Sequence, residues 1–425
     1  MRFGDARSDR QYEPPVRTVS GTPRLPALDG FRAYAIMGIV AVHLLGASGV
    51  IKEANGTTLG VILWSTFGNT LDAFFIISGF VLFLPTVVRG GEFGSKVSFW
   101  IGRGVRLLPA YWLVIGICLL LIAVAPPFAG YPFPPLWSIA AHLTVLQLPV
   151  RFFQPDLTAG FGIDGAVWMI SIVVTFYVVL PFVARAYGRH PLIGLAIAAA
   201  ITLAWKQTVA RAPEIFEALS SGSGSATDLV ARLIAVDQFP GWAFSFGLGM
   251  TGAWAYHWAT HRFSTARLVH TASRAAVPAL LLYVSAAYLF GRTTLTYDGR
   301  VSPLSRSHTL ETMFSSTTRA ILMAVILLGP IWMRRPFVNR ATAKLAELSY
   351  GVYLIHILLV VYAAVLLQLP GNGSLGAVAI WFVVIVPPSL LYAALSRRWV
   401  ELPVQRWVRA HRAAPPPAVV PQPDV

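Results

Sequence analysis

Residues 136–150 read LWSIAAHLTVLQLPV. The run is apolar enough to resemble a short membrane span, and whether it crosses sets the topology of everything after it. Basic residues mark cytoplasmic loops. Arg2, Arg7, Arg10, Arg17 and Arg24 place the N-terminus inside, and Arg89, Lys96, Arg103 and Arg106 place the second connection inside. Residues 126–135 carry no charge and fit outside. If 136–150 crossed, the clusters Arg185/Arg189, Arg262/Arg267/Arg274, Arg334/Arg335/Arg340/Lys344 and Arg397/Arg398/Arg406/Arg409 would all be external. If it does not cross, all of them are cytoplasmic. The stretch is therefore read as a short external or re-entrant helix.

Around it lie ten apolar runs, roughly 28–48, 59–83, 108–125, 166–184, 191–205, 239–258, 275–290, 318–333, 348–368 and 375–395. Each can span about 30 Å of hydrocarbon, the shortest with help from its flanks. In lipid the backbone must satisfy its own hydrogen bonds, so such runs become helices. The fold class expected is all-α: a polytopic integral membrane protein with about ten transmembrane helices and both termini cytoplasmic. Composition agrees. The chain has 425 residues, 56% hydrophobic and only 12% charged, with mean hydropathy +0.64, whereas a soluble chain has about 25% charged residues.

The net charge of +15 reflects basic cytoplasmic loops facing anionic lipid rather than nucleic acid. The single cysteine, Cys118, allows no intramolecular disulfide and no CxxC metal or redox site. No signal peptide is apparent, and the first apolar run is long enough to stay as an anchor. Residues 1–26 read as a mobile cytoplasmic arm, 27–405 as the membrane domain, and 406–425 as a basic, then Pro-rich, cytoplasmic tail. External loops are expected at about 206–237, with the flexible SGSGS at 221–225, and at about 291–317. No internal repeat of the kind transporters carry is visible.

Ionisable residues inside spans are functional candidates by default. In LDGFRAYAIMGIVAVH (28–43), Arg32 and His43 return to nearly the same helix face, about 16 Å apart along the axis. A cation and a deeper imidazole suit a long anionic substrate and base chemistry at a hydroxyl; a core histidine beside a snorkelling arginine is equally consistent. Asp72, in DAFFIISGFVLF, needs a cation, and Arg32 or His43 can serve; a helix-pairing role is equally open. Arg103 and Arg106, in FWIGRGVRLLPAYW, suit phosphate or pyrophosphate, or a lipid headgroup. Ser349, Tyr353 and His356 form a polar stripe in ELSYGVYLIHILLV, read either as cavity lining shared with His43 or as interhelical hydrogen bonding. Glu401, in RRWVELPVQRW, reads as a cytoplasmic ion-pair lock. GLGMTG at 247–252 matches a dinucleotide fingerprint but lies inside a span with no preceding strand, so helix packing explains it better.

Taken together these segments resemble the membrane-bound acyltransferase-3 family. LDGFRAYAIMGIVAVH is similar to its LDGLRG…H opening, DAFFIISGFVLF to DLFFVLSGFLI, Arg103 to Trp112 to R-x-x-RLLPAYW, LSYGVYLIH to ISYSLYLWH, and RRWVELP to RYLVERP. The matches run in family order from about 24 to 405. The resemblance implies transfer of an acyl group, usually acetyl from cytoplasmic acetyl-CoA or another acyl-CoA, to a hydroxyl of a glycan, lipid or small natural product, with no metal. It implies that His43, with Arg32, is the catalytic base or acyl relay of an R-x10-H motif. It makes Arg103, Arg106, Tyr111 and Trp112 the donor-binding motif. Trp168, Ser171, Tyr177, Tyr353 and His356 become cavity or substrate residues. Many relatives carry a fused SGNH hydrolase-like domain, which is not expected here. High Arg and Ala with little Lys points to a GC-rich bacterium and its inner membrane.

One position departs from the pattern. WMISIVVTFYVVLP (168–181) resembles W-S-L-S-V-E-E-Q-F-Y-L-L-x-P, keeping Trp168, Ser171, Phe176, Tyr177 and Pro181. Val173 and Val174 occupy the glutamate positions. A carboxylate there would orient a histidine and raise its basicity; valine does neither. A glutamate replaced by valine, an acid supplied elsewhere (Asp72 being the choice) and a non-catalytic member all remain open. So does a small-molecule transporter, which would also bury Arg, His and Asp in a bundle.

Overall fold

A computed structural model of the chain describes residues 25–154, 157–212, 234–295 and 306–412. The expected N-terminal arm, the SGSGS segment and the Pro-rich tail lie outside the described residues. The principal helices are α1 (Pro26–Ala47), α2 (Thr70–Val88), α3 (Lys96–Val124), α4 (Leu136–Leu143), α5 (Gln147–Phe153), α6 (Trp168–Arg189) and α7 (Pro191–Arg211). They continue with α8 (Ala243–Arg262), α9 (Thr265–Leu295), α10 (Arg306–Leu328), α11 (Arg340–Leu367), α12 (Leu375–Ser396) and α13 (Leu402–Arg412). No strand occurs among the described residues. The external loop expected at 291–317 is shorter than its apolar boundaries suggested, because α9 and α10 both extend helically into it.

Among the described residues, nine helical segments are long and apolar enough to cross a membrane. The tenth expected span, α8, is a helix of 20 residues, about 30 Å long, but Ser245, Thr251 and His257 lower its hydropathy. It lies against α2 at backbone distance. A Cβ on Gly249 would sit 2.0 Å from the Ile76 carbonyl oxygen, and one on Gly79 would sit 2.3 Å from that of Phe246. The GLGMTG stretch is thus a small-residue packing face. Polar N-caps start several helices: Ser95 accepts from the Ser98 N–H, Ser374 from that of Ala377, and Asn339 forms a capping box with Thr342.

Residues 136–150 do not form a span. They break into α4 and the start of α5 around Val145, which adopts φ 61°. The Val145 N–H donates to the His142 carbonyl and the Leu146 N–H to that of Ala141, a left-handed helix stop. A β-branched residue in this conformation costs about 1–2 kcal/mol, so the surroundings must hold it. They do so by capturing exposed carbonyls. Tyr111 Oη donates to the His142 carbonyl (2.8 Å), Trp112 Nε1 to that of Leu143 (2.9 Å), Ser171 Oγ to that of Val145 (2.9 Å) and Gln238 Nε2 to that of Leu148 (3.0 Å). From within the segment, Gln147 Nε2 donates to the Val167 carbonyl (3.0 Å).

His142 joins the break to the next loop. Its Nδ1–H donates to the Ser138 carbonyl (2.8 Å), and its Nε2 accepts from the Gly160 N–H (3.0 Å). Gly160 adopts φ 54° there, a conformation that favours glycine. The ring is fully buried against Phe161. Burial pushes its pKa down to about 4, and protonation would remove the acceptor that holds Gly160. The free value is near 6.5, so the unfolded chain binds the proton first as pH falls. This contribution is complete above pH 6.5 and is lost between 6.5 and 4, amounting to about 2 kcal/mol at pH 5. The thermal midpoint in detergent should fall on going from pH 7.5 to pH 5, and the fall should flatten in His142→Gln.

Candidate functional site

The arginines singled out in sequence converge. A cavity of about 310 Å³ lies between α1, α2, α3, α6 and α11, and Arg32, Arg103 and Arg106 all line it. Arg32 makes only a long contact to Asp29 (3.7 Å). Arg103 lies against the Phe99 ring, 5.6 Å from its centroid, and its buried Nε has no hydrogen-bond partner. Buried guanidinium N–H groups are costly to leave unpaired, so this one is poised for an anionic ligand.

The opposite walls carry Val173 and Tyr177 from α6, and Ser349 and Tyr353 from α11. Pro181 has no N–H, so the Tyr177 carbonyl loses its normal helical donor. Trp100 Nε1 takes that place at 2.8 Å, fixing this turn beside the cavity. Val173 is 4% exposed and faces the same space. The position that resembles the family glutamate is therefore a cavity wall one turn from Tyr177, and it brings no charge.

The cavity's carboxylates lie near α12. Glu347 accepts from Arg397 Nε (2.6 Å) and pairs with Lys344 (3.2 Å). The ion-pair lock expected at Glu401 is instead Arg397–Glu347. Glu401 is buried within a π-helical turn, Arg397–Glu401, and is met by Ser396 Oγ at 3.5 Å.

Tyr353 connects this cavity to the two histidines. Its ring centroid lies 5.8 Å from that of His356, and His356 lies 5.3 Å from His43. His356 is fully buried; its Nδ1 donates to the Tyr353 carbonyl (2.7 Å) and its Nε2 has no partner. The His43 side chain is not covered by the rest of the bundle. Neither His43 nor His356 lines the arginine cavity; the pair lies behind Tyr353, farther along α1 and α11.

Other expected site residues are engaged elsewhere. Asp72 is fully buried, but its partner is neither Arg32 nor His43. Arg319 Nη1 pairs with Asp72 Oδ2 at 3.3 Å and also donates to the Asn69 carbonyl at 2.6 Å, while Ser245 Oγ donates to Asp72 Oδ1. Its carboxylate joins α2, α8 and α10, which removes it as the acid for His43. Tyr111, Trp112 and Ser171 do not line the cavity: their polar atoms hold the carbonyls of the 136–150 break. Trp168 packs near Trp242, 6.4 Å between ring centroids.

Among the buried groups that escaped the sequence reading, two are ionisable and lie beside residues already described. Arg319 lies inside the apolar run 318–333, and a charge there was itself the signal. Asp164 is fully buried with neither oxygen hydrogen-bonded, and burial holds its carboxyl well above the usual range. It lies two residues before Ala166, whose carbonyl accepts from the Tyr353 hydroxyl. Nothing in FGIDGAVW marked it beyond its charge in an apolar setting.

The Asp72 geometry is testable. Removing one partner of a buried ion pair leaves a charge uncompensated and costs about 3–5 kcal/mol. Asp72→Ala should lower thermal stability steeply, and adding Arg319→Met should recover most of the loss. A reacting carboxylate would show no such rescue.

A family model described as an acyltransferase domain matches residues 25–395. The chain is 24% identical over 394 residues to nodulation protein 10 of Rhizobium leguminosarum bv. viciae, covering 89% of this chain and 92% of that protein. It is 24% identical over 401 residues to the putative peptidoglycan O-acetyltransferase YrhL of Bacillus subtilis, covering 90% of this chain. Against the peptidoglycan O-acetyltransferase OatA of Listeria monocytogenes the identity is 21% over 409 residues, again covering 90% of this chain. The chain spans 55% and 56% of these last two proteins. No solved structure matches.

Proposed function

This chain belongs to the acyltransferase-3 family and is a multi-pass membrane acyltransferase, and we propose that it moves an acyl group, acetyl in the simplest case, from cytoplasmic acyl-CoA to a hydroxyl of a glycan, glycolipid or small natural product. The observation that carries this reading is the convergence of Arg32, Arg103 and Arg106 on one cavity, whose wall residue Tyr353 adjoins His356, which in turn lies against His43. Three guanidiniums match the phosphates of a CoA donor. The basic loops support a cytoplasmic position for that end, with both termini inside. Relatives named as peptidoglycan O-acetyltransferases make a hydroxyl-bearing glycan the first acceptor class to examine.

In this mechanism His43 removes the acceptor's hydroxyl proton as its oxygen attacks the thioester carbonyl. The tetrahedral intermediate collapses, the C–S bond breaks, and the proton passes to the departing CoA sulfur, leaving neutral imidazole and an ester. A neutral His356, with Nε2 free, can accept from His43 and orient it. It would take over the positioning that a carboxylate at 173 would give. The reading of the chain as catalytically impaired rests on one observation, that Val173 faces the cavity without a charge.

Kinetics separate these roles. Arg103→Ala and Arg106→Ala should each raise KM for acetyl-CoA by about tenfold or more. His43→Ala should lower kcat by about 10²–10⁴ without weakening CoA binding. Turnover by the wild type that is lost in His43→Ala and unchanged in Val173→Glu supports catalysis without the glutamate. A large gain only in Val173→Glu identifies the missing carboxylate. Silence of both across a broad panel of hydroxyl acceptors would establish a non-catalytic member. In proteoliposomes, reaction with acceptor held only on the cytoplasmic face would overturn transfer across the membrane.

A further inference from the structure

A second, larger cavity, about 530 Å³, lies where α2, α6 and α8 all end. It shares no lining residue with the arginine cavity. On α2 the two are on opposite sides: Val87, which lines the larger one, is about 180° round the helix from Ser78, which lines the other. Its floor is the turn Gly90–Gly91, with φ 68° and 96°, where an added Cβ would meet nothing within 4 Å. Glycine here keeps the chain turning and leaves the space open.

The walls bring basic side chains to that space. Arg185 and Arg189 come from the last turns of α6, and His257, His261 and Arg262 from the last turns of α8. The one acid in the lining, Glu92, is paired with Arg185 at 3.2 Å. Arg189 and Arg262 make no ion pair among the described residues. The three helix C-termini offset part of this charge, yet their effect fades within the last turn, while these guanidiniums extend into the open volume. The His257 and His261 rings lie 4.0 Å apart, and His261 Nδ1 donates to the His257 carbonyl. Two tryptophans frame the site: Trp254 and Trp258 lie parallel, 6.2 Å apart with planes 15° from each other. Indoles of this kind sit at headgroup depth, where phosphate is plentiful and two free guanidiniums bind it well.

We propose that this cavity is a second anion site, separate from the donor cavity, that takes a phosphate-bearing group at the membrane interface, carried either by an anionic lipid or by a soluble phosphate compound. It does not depend on the acyl-transfer reading, since no residue of the donor cavity takes part. The test is binding to detergent-purified full chain, followed by thermal shift with three probes: phosphatidylglycerol in mixed micelles, phosphatidylcholine in mixed micelles, and sodium pyrophosphate.

Stabilisation by phosphatidylglycerol but not by phosphatidylcholine or pyrophosphate assigns a lipid; stabilisation by pyrophosphate as well assigns soluble phosphate too. In both cases Arg189→Gln with Arg262→Gln should weaken the dissociation constant about tenfold or more, and Arg103→Ala with Arg106→Ala should leave this binding component in place. Glu92→Gln, which frees Arg185, should tighten it severalfold, giving a gain that a misfolded variant cannot mimic. No stabilisation by either anionic probe, an equal shift with phosphatidylcholine, or binding that survives the Arg189/Arg262 change but is lost with Arg103/Arg106 would each overturn the proposal.

Discussion

A backbone that breaks inside a membrane protein must find partners for its carbonyls, and much of this bundle is arranged around one such break. The stop at Val145 leaves carbonyls of residues 142, 143, 145 and 148 to be met by Tyr111, Trp112, Ser171 and Gln238. In a low-dielectric interior an unmet carbonyl costs several times what a formed bond contributes. These side chains therefore come from three separate parts of the sequence, and they fix α3, α6 and the start of α8 relative to the break. The cavity of the arginines lies between two of those helices, α3 and α6, together with α1, α2 and α11. Its shape is set in part from outside it, by donors that do not line it.

That constraint explains which parts of the site were legible. Arg32, Arg103 and Arg106 stood out because charge within or beside an apolar run demands a reason, and the reason turned out to be one shared cavity. His43 and His356 were linked by the same logic and do adjoin. Tyr111, Trp112 and Ser171 stood out for the same polarity, yet their partners are backbone carbonyls some thirty residues away or less, and no side chain announces a carbonyl. Asp72 was recognised as needing a cation, but the partners available to it on paper were Arg32 and His43. Only the packing of α2 against α10 selects Arg319. The helices were legible almost throughout, since hydropathy alone makes them; α8 is the instructive case, expected from its run yet too polar to stand as a span by composition. Its glycines let it lie against α2 at backbone distance, with Ser245 meeting Asp72.

The arginine cavity and the histidine pair stand on either side of Tyr353. On one side the cavity is cationic and wide enough for a polar ligand; on the other, His43 is uncovered beside a fully buried histidine. Tyr353 stands between, its hydroxyl bound to the Ala166 carbonyl and its own carbonyl bound to His356. A single residue thus couples α11 to the loop before α6 and fixes the tautomer of the deeper imidazole. The Trp100 bond that replaces the missing Pro181 donor acts similarly on Tyr177. Both tyrosines are placed through their backbones, so their rings keep a defined position at the cavity wall.

The valine at 173 also has a consequence for departure. A cavity with three guanidiniums and the two carboxylates of Glu347 and Glu401, but an alkyl group at 173, holds one repulsion fewer against a polyanion than a glutamate there would give. Attraction of this kind deepens the well for the arriving and the departing molecule alike. A ligand that carries its phosphates in must carry them out again against the same pull. For the phosphate-bearing donor proposed above, the residence time of the product, more than the arrival of the substrate, is then what a missing negative charge at 173 would lengthen.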